Sequence, residues 1–266
     1  MSLEQLILLA LIQGITEFLP ISSSGHLNLL HLLTSMPDEG VMVDVAVHVG
    51  TLMAVLVYFR TEVMRLAVGF FKMLRGKVTP DGRFALYLIL ATLPVMAVGI
   101  VLLKTGLVTA LRTVEVVAWA NLIFAVVLYG ADRTGLTVRR MEHLTAPGAL
   151  AIGIAQVLSL IPGASRAGVT ITMARLLGYE RPDAARISML LSIPTIIAAA
   201  AATSYDAYES GNVALQMDMA VAALLAFGAA IITIALFMRL LTRTTLLPFV
   251  LYRLVLGAAL LAWVYS

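Results

Sequence analysis

The chain has 266 residues, of which 61% are hydrophobic and 12% are charged, and its formal net charge is +3. Soluble domains carry about 25% charged residues, so this composition excludes a water-covered globular surface and predicts an all-α integral membrane protein. The chain has no cysteine, which excludes disulfides and thiolate chemistry. The small positive charge is explained by membrane topology, and no nucleic-acid partner is expected.

In chain order, the apolar stretches divide into two kinds. Two stretches, 3–34 and 145–178, are apolar at both ends and broken in the middle by proline and small polar residues. Each half has only about 12–16 residues, which is short for crossing a bilayer. The other stretches are long enough to span as single helices, and they cover 41–59, 84–103, 114–131, 185–204, 219–238 and 246–265.

Basic residues predict how these helices are oriented. The loop after the first span carries Arg60, Arg65, Lys72, Arg75, Lys77 and Arg83, whereas the next loop carries only Lys104 and Arg112. Because loops rich in lysine and arginine stay in the cytoplasm, the first of these loops is inside. The charge pattern then requires each broken stretch to enter and leave on one side, as a re-entrant hairpin. Both termini are predicted outside, and 61–77 is predicted to form an amphipathic helix on the inner membrane surface.

The two broken stretches resemble each other. Gln13, Pro20 and Gly25 of the first match Gln156, Pro162 and Gly168 of the second, with a one-residue offset inside the motif. Three spans follow each motif, and this odd number inverts the second copy relative to the first. The sequence therefore predicts a single membrane domain, 1–266, made of inverted repeats over 1–131 and 145–266, with its site where the breaks meet.

The tips of the hairpins have the composition of an anion site. A new half-helix begins after each break, and its first N–H groups lack partners within the helix. Arg166 adds a permanent charge whose planar fork matches phosphate oxygens. The residues predicted to bind phosphate are Ser22, Ser24, Gly25, Gly163, Ser165 and Thr170.

Three further side chains point to catalysis and to a metal. Glu17 and Gln13 share a helix face and offer hard oxygen ligands suited to Mg²⁺ or Ca²⁺. Glu17 could instead act as a general base or orient His26. Ser23 and His26 could form a nucleophile–base pair, or His26 could attack phosphorus itself. We therefore predict Ser23, His26, Arg166 and Glu17 as catalytic residues.

Polar residues inside the spans need a second explanation. Asp44 and His48 lie one helical turn apart in the first span, and Arg253 lies in the last. Since a buried charge needs a partner, Asp44 and Arg253 are predicted to pair in a structural polar network.

The motifs Q-G-I-T-E-F-L-P-I-S-S-S-G-H and P-G-A-S-R-A-G-V-T resemble the two signature motifs of the undecaprenyl-pyrophosphate phosphatase family, the bacitracin-resistance proteins. The resemblance extends to D-V-A-V-H-V-G-T-L-M-A-V and L-L-P-F-V-L-Y-R, so it covers nearly the whole chain. The family's active-site Ser, His and Arg fall on Ser23, His26 and Arg166. Gln13 is the neutral variant of a Glu/Gln position, which places more weight on Glu17 as a metal ligand.

The resemblance implies a homodimeric enzyme of the bacterial inner membrane with two re-entrant hairpins. It would remove the terminal phosphate of a C55 polyprenyl pyrophosphate at the outer side of the membrane, using a divalent cation. The product would return to cell-wall synthesis as the carrier lipid. The sequence leaves the nucleophile open between Ser23, His26 and water. It also leaves open a transporter that flips a polyprenyl phosphate, because inverted repeats with broken helices are a transporter architecture.

Overall fold

The computed structural model describes residues 3–33, 41–135, 137–208 and 213–266, so residue 34 of the first broken stretch lies outside it. Within these ranges every regular element is a helix, apart from one isolated β-bridge. The α-helices are α1 (Leu3–Thr16), α2 (Ser23–Leu33), α3 (Val41–Tyr58), α4 (Arg60–Leu74), α5 (Pro80–Thr105), α6 (Leu107–Ala110), α7 (Val114–Thr134), α8 (Ala146–Val157), α9 (Arg166–Leu176), α10 (Arg181–Tyr208), α11 (Val213–Leu241) and α12 (Leu247–Tyr265).

Five segments of these helices are long and apolar enough to cross a membrane: Pro80–Thr105, Val114–Thr134, Arg181–Ala201, Gln216–Leu241 and Leu247–Tyr265. A sixth is present if α3 and α4 count together as one bent span. Large apolar side chains face outward from these helices, such as Leu224 at 70% and Val255 at 71% exposure. The prediction of a helical multi-pass membrane protein is therefore confirmed.

The helix predicted at 61–77 corresponds to α4, which leaves α3 at 89°. Met64, Phe71 and Leu74 are each more than 60% exposed on its outer surface. Its inner surface packs on α5 through two glycines, because a Cβ added to Gly69 would lie 2.6 Å from the backbone nitrogen of Gly82. A right-angle turn and outward apolar side chains are compatible with the predicted surface helix.

Both predicted breaks are present, and the same cap follows each. Ser22 precedes α2 and Ser165 precedes α9, with backbone φ angles of 74° and 73°. Each hydroxyl accepts a hydrogen bond from the amide of the glycine three residues later, at 3.2 Å in Gly25 and 3.0 Å in Gly168. A side-chain oxygen in this place satisfies one of the unpartnered N–H groups of a helix start.

Each broken segment packs against the opposite half of the chain. Helix α1 lies along α11, where a Cβ on Gly14 would be 2.7 Å from the Ala226 carbonyl. Helix α8 lies along α5, where a Cβ on Gly153 would be 2.7 Å from the Ala91 Cα. Helices α7 and α12 pack together, and α3 packs on α10 and α11. Small residues permit these close backbone approaches, as is typical of helix contacts in membranes.

A buried ionic cluster fixes one end of the bundle. Asp132 at the end of α7 accepts hydrogen bonds on Oδ1 from Nε of Arg175 (3.1 Å) and Nε of Arg181 (2.7 Å). Its Oδ2 accepts from the Leu246 amide at 3.2 Å, and Arg175 also donates to the Tyr179 carbonyl. The ends of α7, α9, α10 and α12 therefore meet here. Arg175 and Arg181 thus stabilise the tertiary structure through one buried carboxylate.

The chain entering α8 runs beside the chain leaving α9. The Arg139 amide donates to the Gly178 carbonyl at 2.9 Å, and the Glu180 amide donates to the Arg139 carbonyl at 2.9 Å. The two ends of the second broken segment are thus joined side by side.

Candidate active site

The two breaks meet inside the bundle. A Cβ added to Gly25 would lie 3.3 Å from the Cα of Gly163, so the backbones of the two tips touch. The Ser165 hydroxyl reaches the Leu19 carbonyl at 3.4 Å and provides a second link. The packing therefore brings together the predicted residues of both motifs, which are 149 positions apart for Glu17 and Arg166.

Arg253 of α12 fastens the two tips to each other. Its guanidinium is fully buried and donates to the carbonyls of Pro20 (3.3 Å), Gly163 (2.9 Å) and Ala164 (3.1 Å), and to that of Ala120 in α7 (3.3 Å). Backbone at a break has carbonyls without helical partners, and burial in a membrane protein requires that they be satisfied.

The predicted Asp44–Arg253 pair is therefore wrong. Arg253 uses both terminal nitrogens on backbone carbonyls, and its buried Nε has no hydrogen-bond partner among the described residues. The sequence pattern does not reveal these contacts. Among the residues that the structure describes, Oδ1 of Asp44 is buried and has no hydrogen-bond partner. The Asp44 carbonyl accepts from Nδ1 of His48 at 2.7 Å.

Glu17 is the centre of the site. Its Oε1 accepts from Nη2 of Arg166 at 2.7 Å. Its Oε2 accepts from the hydroxyl of Ser23 at 2.7 Å and from Nε2 of Gln13 at 3.0 Å. Glu17 is only 7% exposed, so these charged contacts are made in a poorly solvated environment, where charge-assisted hydrogen bonds are strong. The carboxylate joins the nucleophile candidate of one tip to the arginine of the other.

His26 is hydrogen-bonded to Ser22 and Tyr252, and not to Ser23 as the predicted nucleophile–base pair would require. Its Nδ1 donates to the Ser22 carbonyl at 2.6 Å, because a carbonyl oxygen only accepts. Its Nε2 then accepts from the Tyr252 hydroxyl at 2.6 Å, and the two rings stack with centroids 5.7 Å apart. Both ring nitrogens are occupied in this arrangement. The group that receives the hydrogen bond of Ser23 is Glu17, the alternative base considered in the sequence analysis.

The predicted phosphate-binding residues differ in their access to the site. Ser24 is exposed, and its hydroxyl lies 3.3 Å from that of Ser22. Ser22 and Ser165 are buried and serve as helix caps. Thr170 is 1% exposed, and its hydroxyl donates to the Arg166 carbonyl at 2.8 Å. Ser24 is therefore accessible to a ligand, whereas the Thr170 hydroxyl is bonded within α9 and to Ser188.

Three residues near the site were not among the predicted site residues. Nε2 of His48 lies 3.9 Å from Oε2 of Glu17, Tyr252 contacts His26, and the Ser188 carbonyl accepts from Nη1 of Arg166 at 3.0 Å. His48 and Tyr252 were visible as polar residues inside apolar spans. Both lie outside the two motifs in the sequence, so the sequence gave no reason to place them at the tips.

Gln13 and Glu17 provide the donors that could hold a divalent cation. Oε1 of Gln13 is buried without a hydrogen-bond partner among the described residues, although Nε2 of the same amide is bound to Glu17. An unpaired amide oxygen beside a carboxylate suits a hard cation. The described residues contain no group of three acidic, histidine or cysteine side chains that could hold a metal. A cation here would therefore need phosphate oxygens as further ligands.

Comparison with known proteins decides the family. A family model described as bacitracin resistance protein BacA matches residues 6–259. The chain belongs to the BacA family. The resemblance drawn from the two motifs is thus confirmed.

Full-length relatives of this BacA-family chain carry a common name. Proteins named undecaprenyl-diphosphatase from Roseobacter denitrificans and Dinoroseobacter shibae are 51% and 50% identical over 267 residues, covering all of both chains. One named undecaprenyl-diphosphatase 1 from Rhodospirillum rubrum is 46% identical over all of this chain and 96% of its own length. The chain and these relatives therefore match over nearly their whole lengths.

Proposed function

We propose that this chain hydrolyses undecaprenyl pyrophosphate to undecaprenyl phosphate and inorganic phosphate, recycling the carrier lipid of cell-wall synthesis. The observation that carries the proposal is the convergence of Ser23 and Arg166 on Glu17 across the two tips. The convergence supports a site in which Ser23 would act as nucleophile, Glu17 as base and Arg166 as a fixed positive charge, beside two helix starts. The family and the names of the full-length relatives support the same reaction.

The contacts suggest the course of phosphoryl transfer. Oγ of Ser23 attacks the terminal phosphorus and gives its proton to Glu17, the group it already contacts at 2.7 Å. The bond from this phosphorus to the bridging oxygen breaks, and the lipid monophosphate leaves with the electron pair. Water then attacks the phosphorus of the phosphoserine, the bond from phosphorus to Oγ of Ser23 breaks, and inorganic phosphate is released. Glu17 returns its proton to Oγ, which restores the serine. His26, bound to Ser22 and Tyr252, positions the start of α2 during these steps.

Arg166 has two competing partners in this scheme. Without substrate it pairs with Oε1 of Glu17. A bound pyrophosphate offers several anionic oxygens to the same guanidinium. Arg166 then stabilises the charge that develops on the transferred group, and Glu17 is left to accept the proton of Ser23.

The charge balance of the site favours a divalent cation. Arg166 and Arg253 are positive and Glu17 is negative, and Arg253 is committed to the backbone. A pyrophosphate brings more negative charge than this set neutralises. We propose Mg²⁺ or Ca²⁺ held by Glu17 and Gln13 together with substrate oxygens, where it would neutralise phosphate charge.

The fold also supports a proposed membrane arrangement. The pairing of residues 138–139 with residues 178–180 brings the two ends of the second broken segment together, which supports a re-entrant hairpin. The matched serine caps, and the packing of α1 on α11 and of α8 on α5, support inverted repeats. We propose that the chain lies in the bacterial inner membrane as a homodimer, with its basic loops in the cytoplasm and its site open to the periplasm.

The test is phosphate release from undecaprenyl pyrophosphate by the detergent-purified protein. We expect release with Mg²⁺ or Ca²⁺ and its loss in EDTA. Arg166→Ala, Glu17→Gln and Ser23→Ala should each lower kcat by at least about 10²-fold, because each removes a group that acts in the transition state. Thr244→Ala, on an exposed loop, is the matched control and should be unchanged.

The outcomes separate the candidate functions. Unchanged release in Glu17→Gln and Arg166→Ala would place the chemistry elsewhere. No release by a folded wild-type protein would refute the phosphatase, and flipping of polyprenyl phosphate in liposomes would then support the transporter.

A further inference from the structure

A groove separate from the active site lies on the membrane-facing side of the bundle. It is formed by the end of α1, the last turns of α11 and the first turn of α12, and its volume is about 470 Å³. Leu19, Phe237, Leu240 and Phe249 line it with apolar surface. Ser23, Glu17, His26 and Arg166 do not line it. The groove is thus adjacent to the first tip through Leu19 but does not open into the active site.

The exposed rim of the groove determines what can enter it. Ile15 is 44% exposed and Leu236 is 60% exposed at its edge. Leu236 lies within the apolar segment Gln216–Leu241, whose outer face meets hydrocarbon in a membrane. An apolar groove that opens on this face is filled by a lipid chain, because water has no polar partners there.

Two arginines give the groove a charged end. Arg239 lies in the last turn of α11 and Arg243 lies four residues later, just beyond the helix end. Both are exposed, and no acidic residue is among the described residues that line the groove. A guanidinium pair at the level where a span leaves the membrane matches the phosphate of a lipid headgroup.

We propose that this groove binds an anionic glycerophospholipid of the surrounding bilayer, with its phosphate on Arg239 and Arg243 and one acyl chain along Phe237 and Phe249. A bilayer phospholipid is favoured over the polyprenyl substrate because a headgroup held by these arginines lies at the α11–α12 turn, away from Ser23 and Glu17. The bound chain covers Leu19, whose carbonyl accepts from Ser165 of the other tip. Lipid occupancy therefore supports the packing of the first tip.

The test compares lipid binding by the wild-type protein and an Arg239→Gln/Arg243→Gln variant. Native mass spectrometry in a mild detergent measures retained phosphatidylglycerol and phosphatidylcholine. Each basic residue near a bilayer contributes about a five-fold preference for an anionic lipid, so the double variant should bind phosphatidylglycerol about 25-fold more weakly. Phosphatidylcholine also carries a phosphate, but its cationic choline offsets the charge, so its binding should be weaker in the wild type and should change less in the variant.

Control variants separate a specific site from general charge. Arg60→Gln/Arg75→Gln removes two exposed arginines, one at the start of α4 and one just beyond its end. Neither lines the groove, so phosphatidylglycerol binding should be unchanged. Arg239→Lys/Arg243→Lys keeps both charges and should retain most of the binding, which also controls for misfolding. Elution of each variant as a single peak on size exclusion verifies its fold independently of any activity.

Three outcomes would overturn the proposal. Equal retention of phosphatidylglycerol and phosphatidylcholine would show that the arginines do not select a headgroup. Equal loss in the α4 control would show a diffuse surface effect. Displacement of phosphatidylglycerol by an equimolar amount of polyprenyl phosphate would assign the groove to the reaction's own lipid.

Discussion

Arg253 offers a sharp test of how the site is held together, because replacement by methionine keeps much of its apolar volume and removes all its donors. The guanidinium donates to four carbonyls, of which those of Gly163 and Ala164 are nearest at 2.9 and 3.1 Å. A hydrogen bond to a charged group contributes about 1.5–3 kcal/mol, and the two contacts at 3.3 Å should contribute less. We therefore expect Arg253→Met to lower the free energy of unfolding by about 3–5 kcal/mol.

The assay combines thermal unfolding with phosphate release. For a chain of this size the loss corresponds to a Tm about 6–20 °C lower. Catalysis should fall by about 10²-fold even below this temperature, since displacement of a tip by about 1 Å separates the reacting groups. The kcat and Tm of Arg253→Lys should lie between those of the wild type and Arg253→Met, because one ammonium cannot reach both tips. Arg133→Met, an exposed arginine on α7, is the control. If Arg253→Met kept the kcat and Tm of the wild type, the role of Arg253 in connecting the two tips would be refuted.

Three further changes probe the caps, the packing and the histidine. Ser165→Ala should lower stability by about 1–2 kcal/mol, whereas Ser165→Gly should change it less, since φ of 73° suits glycine; chemical unfolding compares the two. Gly14→Ala should lower Tm and Gly228→Ala should not, because only the first added methyl group meets backbone atoms. Tyr252→Phe should reduce kcat/KM about five-fold by removing the partner of His26, while Tyr129→Phe, of similar exposure, should not. Equal effects within any of the three pairs would contradict the reasoning.

The helices could be predicted from the sequence because a bilayer imposes a simple rule. Spans need about 20 apolar residues and an internally bonded backbone, so long apolar runs become helices whatever they pack against. The expected span at 84–103 is observed as α5, Pro80–Thr105, and the span at 114–131 as α7, Val114–Thr134. The breaks at Pro20 and Pro162 could also be predicted, because proline and small polar residues end helices locally.

The site was only partly predictable. The motifs contain Glu17, Ser23, His26 and Arg166 within short stretches, and local chemistry made each a candidate. Which side chain Ser23 contacts depends on rotation about the tip, and no local pattern encodes this. In the structure Ser23 donates a hydrogen bond to Glu17, whereas His26 is hydrogen-bonded to Tyr252 of the last helix.

The sequence by itself determined the membrane class, the approximate positions of the long apolar helices and the chemical character of the two tips. These follow from hydrophobicity and backbone hydrogen bonding, which act over a few helical turns. Only the tertiary structure decided that Arg253 binds backbone carbonyls of both tips rather than Asp44, and that His48 lies beside Glu17. Such pairings depend on where whole helices cross, and that geometry comes from packing summed over the entire bundle.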